Sequence, residues 1–282
     1  MSTVIVVDTH THVVSHDRGR YPMDPPPDLA RMPWFDEHPV DAAGLLEAMD
    51  TAGVHGAVLV QAKGAYGFDN SYAADARAVA PDRLVNASIV DLADPDRLGR
   101  LTYWATERAM LGTRLFDIPS SDPSWLADPA TGAVLDRCRE LGVRVGLCIL
   151  EPRLPLVRDL CALAPDVPIA LDHCGFADLL GDTAALDALA DVDNLRLKVT
   201  TTLLEPALHA GRDPRDLVER LCEVFGIERL MWGSDYPQHH SEPYAEIVDL
   251  ARHACSRLTA DEQARFLGGT ALELWPELRP VG

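Results

Sequence analysis

Basic residues are scarce in this sequence. Lys plus Arg number 25 against 44 Asp plus Glu, a formal net charge of −19. No Lys/Arg run occurs anywhere, so the cationic footprint that a phosphate backbone requires is missing and nucleic-acid partners are excluded. The same acidity keeps the chain off an anionic membrane surface and favours solubility. Long apolar runs are missing too. The opening residues carry no basic region and only a short apolar stretch around Val4–Val7, so neither a signal peptide nor a membrane span is expected. Cys138, Cys148, Cys161, Cys174, Cys222 and Cys255 form no C-x-x-C pair. Most sit in apolar stretches where a free thiol behaves as a small hydrophobe, which excludes a disulfide framework and points to a reducing cytosol. The first apolar segment is not followed by a glycine-rich turn, so the usual dinucleotide-binding fingerprint is absent.

What the sequence does contain is alternation. Short, β-branched apolar segments recur at 4–7 (running into Asp8), 56–61, 84–90, 113–116, 143–149, 168–173, 195–199 and 229–235. Each has strand length and is bounded by Gly, Pro or charge. Helical patterns lie between or after them at 42–51, 70–80, 96–110, 130–141, 154–164, 183–190, 215–225, 242–256 and 261–266. Several begin after Asp or Pro and stop at Gly, as capping requires. Eight strand–helix units imply parallel strands with crossover helices. In 282 residues, 47% of them hydrophobic, they fit one closed (β/α)8 TIM barrel spanning residues 1–282, against an open doubly wound sheet. One connection, residues 16–39, is too long for an ordinary turn; its Trp34 and Phe35 are candidates to close over a ligand.

Three segment ends carry the chemistry. In Asp8-Thr9-His10-Thr11-His12, strand alternation puts Asp8, His10 and His12 on one face, with both imidazoles near the C-terminal end, where barrel active sites are built. Two imidazoles so spaced can chelate one metal ion. His173 ends the sixth segment beside Gly175, and Asp235 ends the eighth. Because strand eight closes on strand one, Asp235 is expected beside the His pair, able to ligate a metal or take a proton from water. An isolated H-x-H is a weak signal; strand ends delivering His, His and Asp to one barrel mouth are a far less probable coincidence.

In order and spacing, Asp8–His12, Leu171-Asp172-His173-Cys174-Gly175 and Met231-Trp232-Gly233-Ser234-Asp235-Tyr236-Pro237 resemble the amidohydrolase superfamily. Within it they are similar to the amidohydrolase-related branch that contains pyrone-dicarboxylate hydrolases and sugar and muconolactone lactonases. Arg20-Tyr21-Pro22, Gln61, residues 66–70, 112–115 and 194–200 look like the same branch. The resemblance spans almost the whole chain and leaves the substrate open. It implies ligand or catalytic roles for His10, His12, His173 and Asp235. It also shows departures. Arg114 stands where two-metal members carry a carboxylated Lys, which argues against a two-metal site, and the fifth strand offers no His, only Cys148 and Glu151 nearby. Two cofactor states follow: one divalent ion on His10, His12, His173 and Asp235, zinc before manganese, or catalysis without metal.

The resulting expectation is an enzyme that opens a lactone of a small polar or carboxylated substrate. Asp235 acts as general base, His173, the His10/His12 pair or a bound metal polarises the carbonyl, and Arg114 and Lys198 hold the carboxylate. Gln61, Asn70 and Tyr21 are expected as hydrogen-bonding wall residues. His239 and His240, just after strand eight, are further contacts to consider. The alternative is metal-dependent non-oxidative decarboxylation, and the missing fifth-strand His counts against it. The expected partner is a small molecule, the location cytoplasmic, and both monomer and homodimer stay open.

Overall fold

The computed structural model describes residues 4–27, 29, 32–118 and 124–279. Among them, eight strands form one sheet in sequence order: β1 Val7–Thr11, β2 Gly56–Val60, β3 Leu84–Ile89, β4 Gly112–Phe116, β5 Arg144–Cys148, β6 Ile169–Leu171, β7 Leu195–Thr200 and β8 Leu230–Gly233. All seven successive pairings are parallel. The last strand returns to the first through a parallel bridge from Thr11 to Tyr236, with His12 N–H donating to Tyr236 O and Asp235 N–H to His10 O, each at 2.8 Å. The sheet is thereby drawn into a (β/α)8 barrel, as the alternation of segments required.

Period-two alternation sorts the strand residues. Leu59, Leu84, Leu115, Leu147, Leu171, Leu197 and Trp232 face the helix ring in the large outer core. Val7, Val58, Val60, Val85, Ala170 and Met231 fill the barrel interior, and Trp275 and Leu278 plug its N-terminal end. Gly56 and Gly112 are required by that plug, since a Cβ on them would stand 3.0 Å from Leu278 and 2.6 Å from Trp275. The helices read from capping signals stand where expected. Asp41 accepts from Gly44 N–H at 2.8 Å to start Ala42–Ala52, and Gly53 at φ 70° ends it; Asp128 and Asp213 open Pro129–Leu141 and Pro214–Phe225 in the same way.

Three local expectations need correction. Asp8 does not share the face of His10 and His12. The register shifts between Asp8 and Thr11, and this bulge turns Asp8 outward, where it accepts from Tyr244 Oη at 2.8 Å and from the backbone N–H of His10 and Ser234 at 3.0 and 2.9 Å. The sixth strand stops at Leu171 instead of running to His173, because His173, Cys174, Gly175 and Phe176 all take left-handed φ (53°, 48°, 67° and 54°). A helix at Thr201–His209 also follows β7 directly, where the sequence pattern suggested only a connection; Pro206 inside it masks the helical signal.

Candidate active site at the barrel mouth

β1, β8 and the turn after β6 bring four of the expected residues together. His10, His12, His173 and Asp235 are all buried. His12 Nε2 lies 3.3 Å and His10 Nε2 3.8 Å from Asp235 Oδ1; the His10 ring stands 5.1 Å from that of His12 and 4.6 Å from that of His173. Gly233 makes room for this, since a Cβ there would sit 2.8 Å from His10 Cβ.

Hydrogen bonds decide which atoms face the centre. His12 Nδ1 is 2.8 Å from Val60 O, a geometry in which Nδ1 carries the proton and Nε2 presents a lone pair. Thr202 Oγ1 and Gln238 Nε2 both donate to Asp235 Oδ2 at 3.0 Å. Asp235 Oδ1 and both ring nitrogens of His10 find no hydrogen-bond partner among the described residues, although all are buried. Buried polar atoms seldom stay unsatisfied, and ligand atoms of His10, His12 and Asp235 all lie within 4.8 Å of one another. Two imidazoles and a carboxylate suit a single divalent ion, so these residues fit one. His173 stands beside this triad, its Nδ1 2.8 Å from Thr200 Oγ1.

A second centre of charge was not anticipated. Asp172 is fully buried and meets Arg114 Nε at 2.7 Å, Lys198 Nζ at 2.9 Å and His10 Nδ1 at 3.5 Å. Its signal was available, because alternation from Ala170 puts position 172 on the interior face, but the adjacent His drew the reading. Lys198, one of only two lysines in the chain, is the interior cation. Burial opposes ionisation of Asp172, yet Lys198 and Arg114 hold its carboxyl well below the usual range. Burial likewise opposes ionised Asp235, but the neighbouring His173, His12 and His10 keep it low. The imidazoles go the other way: burial drives His173 down to about 4 and His10 well below its ordinary value. At neutral pH His10 and His173 are therefore neutral beside the carboxylates of Asp172 and Asp235. Cys148 is pushed up to about 12 by burial and stays a thiol.

Strain concentrates here. Of five non-glycine residues with positive φ among those described, His173, Cys174, Phe176 and Asp235 belong to this mouth; Ala109 is the exception. Such backbone costs on the order of 1–3 kcal/mol per residue and persists where surrounding structure over-determines it.

The alignment to known families settles the kinship. The amidohydrolase family model matches residues 7–276. The chain belongs to the amidohydrolase family. A curated L-fucono-1,5-lactonase from Burkholderia ambifaria is 31% identical over 104 residues, a match spanning 35% of this chain and 36% of that protein. Among solved structures, one described as a 2-pyrone-4,6-dicarboxylic acid hydrolase from Pseudomonas putida superposes with TM-score 0.78 at 24% identity, covering 99% of this amidohydrolase and 100% of that chain. An amidohydrolase from Burkholderia multivorans with bound zinc superposes with TM-score 0.77 at 20% identity over 96% and 99%. No helix among the described residues of this amidohydrolase is long and apolar enough to cross a membrane.

The other expected residues fall in distinct places. Gln61 Nε2 donates to Gly67 O and Asp69 O at 2.9 and 3.1 Å, and Asn70 exchanges hydrogen bonds with Ile89; both tie the loop after β2 to the barrel rim. Tyr21 Oη donates to Asp75 at 2.6 Å, on the outer side of the long connection. Within that connection Trp34 and Phe35 are buried, and the Trp34 ring lies 6.0 Å from that of His12. His240 packs against His38 with ring centroids 4.1 Å apart, whereas His239 stands behind Asp235, its Nε2 3.0 Å from Thr202 Oγ1.

Proposed function

We propose that this amidohydrolase opens the ring of a lactone of a small polar or carboxylated compound at the barrel mouth. The observation that carries the reading is Asp235 Oδ1: buried, ionised and without a hydrogen-bond partner among the described residues, 3.3 Å from His12 Nε2. A carboxylate so placed is a general base. Asp235 takes one proton from water as the water oxygen bonds to the lactone carbonyl carbon. The tetrahedral oxyanion collapses, the ring C–O bond breaks, and Asp235 returns the proton to the departing ring oxygen, leaving a hydroxy acid.

The surroundings support each stage. Arg114 and Lys198 flank Asp172 and oppose its charge, and their N–H groups can donate to an oxyanion or a substrate carboxylate in a buried site where charge is felt strongly. Neutral His173 and His10 serve as hydrogen-bonding groups. Trp34, over His12, keeps bulk water out. His10, His12 and Asp235 would hold a divalent ion, which supplies Lewis-acid polarisation of the carbonyl when bound; the zinc-bound structural relative supports zinc. The fuconolactonase supports an aldonolactone substrate, and the pyrone hydrolase a lactone bearing carboxylates.

The test is metal analysis of the purified protein, followed by ring opening of L-fucono-1,5-lactone and 2-pyrone-4,6-dicarboxylate before and after a strong chelator. Acid release without gas evolution is expected, with turnover falling about 10²- to 10⁴-fold in Asp235→Asn. Carbon dioxide release from an aromatic or unsaturated acid, with no ring opening, would sink the lactonase reading in favour of decarboxylation.

A further inference from the structure

Behind Asp235 runs a chain of side chains that the reaction as written does not use. Thr202, near the start of the Thr201–His209 helix, is 3.0 Å from both Asp235 Oδ2 and His239 Nε2. His239 Nδ1 lies 3.1 Å from Glu205 Oε2, one turn further along that helix, and Ser241 Oγ donates to Glu205 Oε1 at 3.1 Å. Glu205 and His239 line a cavity of about 320 Å³ with His209, Glu242 and Glu246. The chain thus joins the buried carboxylate to an outer cavity, away from the imidazoles.

A hydroxyl has one proton and a free rotor. If Thr202 donated to His239, Asp235 Oδ2 would keep Gln238 alone. Donated to Asp235 instead, that proton makes Thr202 the second donor on Oδ2 beside Gln238. Two donors then fix Oδ2, and the carboxylate plane is set so that Oδ1 meets His10 and His12. Asp235 needs such restraint, since its own backbone is left-handed at φ 60°. We propose that Thr202 is the positioning residue for Asp235. The inference rests on Asp235 being the working carboxylate.

The experiment uses Thr202→Val, which keeps volume and removes the hydroxyl, Thr202→Ser, which returns it, and Asp235→Asn as reference. Cobalt(II) affinity is measured by chelator competition, with hydrolysis of L-fucono-1,5-lactone as the kinetic readout. Thr202→Val is expected to weaken cobalt(II) binding and lower kcat about 10- to 100-fold, as loss of a hydrogen bond to a charged group implies, with KM within about twofold. Thr202→Ser restores both. Gln238→Leu, at a half-buried loop position, removes the other donor and shifts both readouts the same way, which covers a Thr202→Val protein that fails to fold. Wild-type behaviour of Thr202→Val alongside weakened cobalt(II) binding in Asp235→Asn overturns the positioning role alone. Wild-type behaviour of Asp235→Asn overturns the reading of Asp235, and the role of Thr202 with it.

Discussion

Asp172 shows how much one buried carboxylate can organise. Its carboxylate is shared by Arg114, Lys198 and His10, and a guanidinium, an ammonium and an imidazole held by one anion cannot drift apart. Lysine suits position 198 because an ammonium is a compact charge that fits the narrow barrel interior. Removing a buried counter-charge leaves the cations desolvated and unpaired, at a cost of about 3–5 kcal/mol. Asp172→Asn is therefore expected to lower the unfolding free energy measured by chemical denaturation by that amount, and Asp172→Asn/Lys198→Met to regain part of it. An Asp172→Asn protein as stable as wild type would show that the ion pairs contribute nothing net. His10, His12, His173 and Asp235 were legible in the sequence because each is a polar residue at the end of an apolar strand. Asp172 was harder to see, since a carboxylate next to a histidine looks like a turn residue until alternation is counted through the strand end.

Elements set the geometry that residues alone do not. β1 and β8 meet so closely that Gly233 opposes His10 Cβ; the glycine is there for space and not for a special φ. Gly233→Ala forces β1 and β8 apart or rotates His10, and a clash of this kind costs about 1–3 kcal/mol. The expected outcome is a modest fall in melting temperature and a much larger loss of kcat, because the displacement falls on a residue of the site. Equal proportional losses in an enzyme that still binds metal normally would mean the strands tolerate the methyl group. The turn after β6 is the opposite case. Four consecutive left-handed residues swing His173 against Thr200 of β7, and only glycine among them declares the conformation in sequence. For the same reason the strand was expected to run two residues further than it does. The β1 bulge was equally hidden: alternation counted without it puts Asp8 in the mouth, whereas it clamps β1 to β8 from outside.

At the scale of the whole molecule, burial of ionisable groups ties stability to pH in a calculable direction. Burial lowers His173 to about 4 and His10 well below its ordinary value, while it raises Asp8 to about 6. Between about pH 6 and pH 4 the unfolded chain takes up two imidazole protons that the folded chain refuses, and the folded chain takes one on Asp8 that the unfolded chain lacks. The unfolded state is ahead by one proton, so these groups make stability fall on acidification by about 1.4 kcal/mol per pH unit. In Asp8→Asn the opposing proton is gone and the slope steepens to about 2.7 kcal/mol per unit. Urea denaturation of chelator-treated protein across this range checks it, and the difference between the two slopes isolates Asp8. Parallel slopes would mean Asp8 titrates alike folded and unfolded.

By itself the sequence determined the eight-fold alternation, the positions of the capped helices, and the three segment ends where histidine and aspartate collect. These follow from local patterns, namely periodicity, capping and polar residues at strand termini, which neighbouring residues settle among themselves. Tertiary structure alone decided which atoms face one another. The bulge that turns Asp8 outward, the left-handed turn that carries His173 to Thr200, the helix that brings Thr202 and Glu205 behind Asp235, and the meeting of Arg114, Lys198 and His10 on Asp172 all join residues far apart in the chain. Their energies depend on barrel closure and on burial that no local window contains.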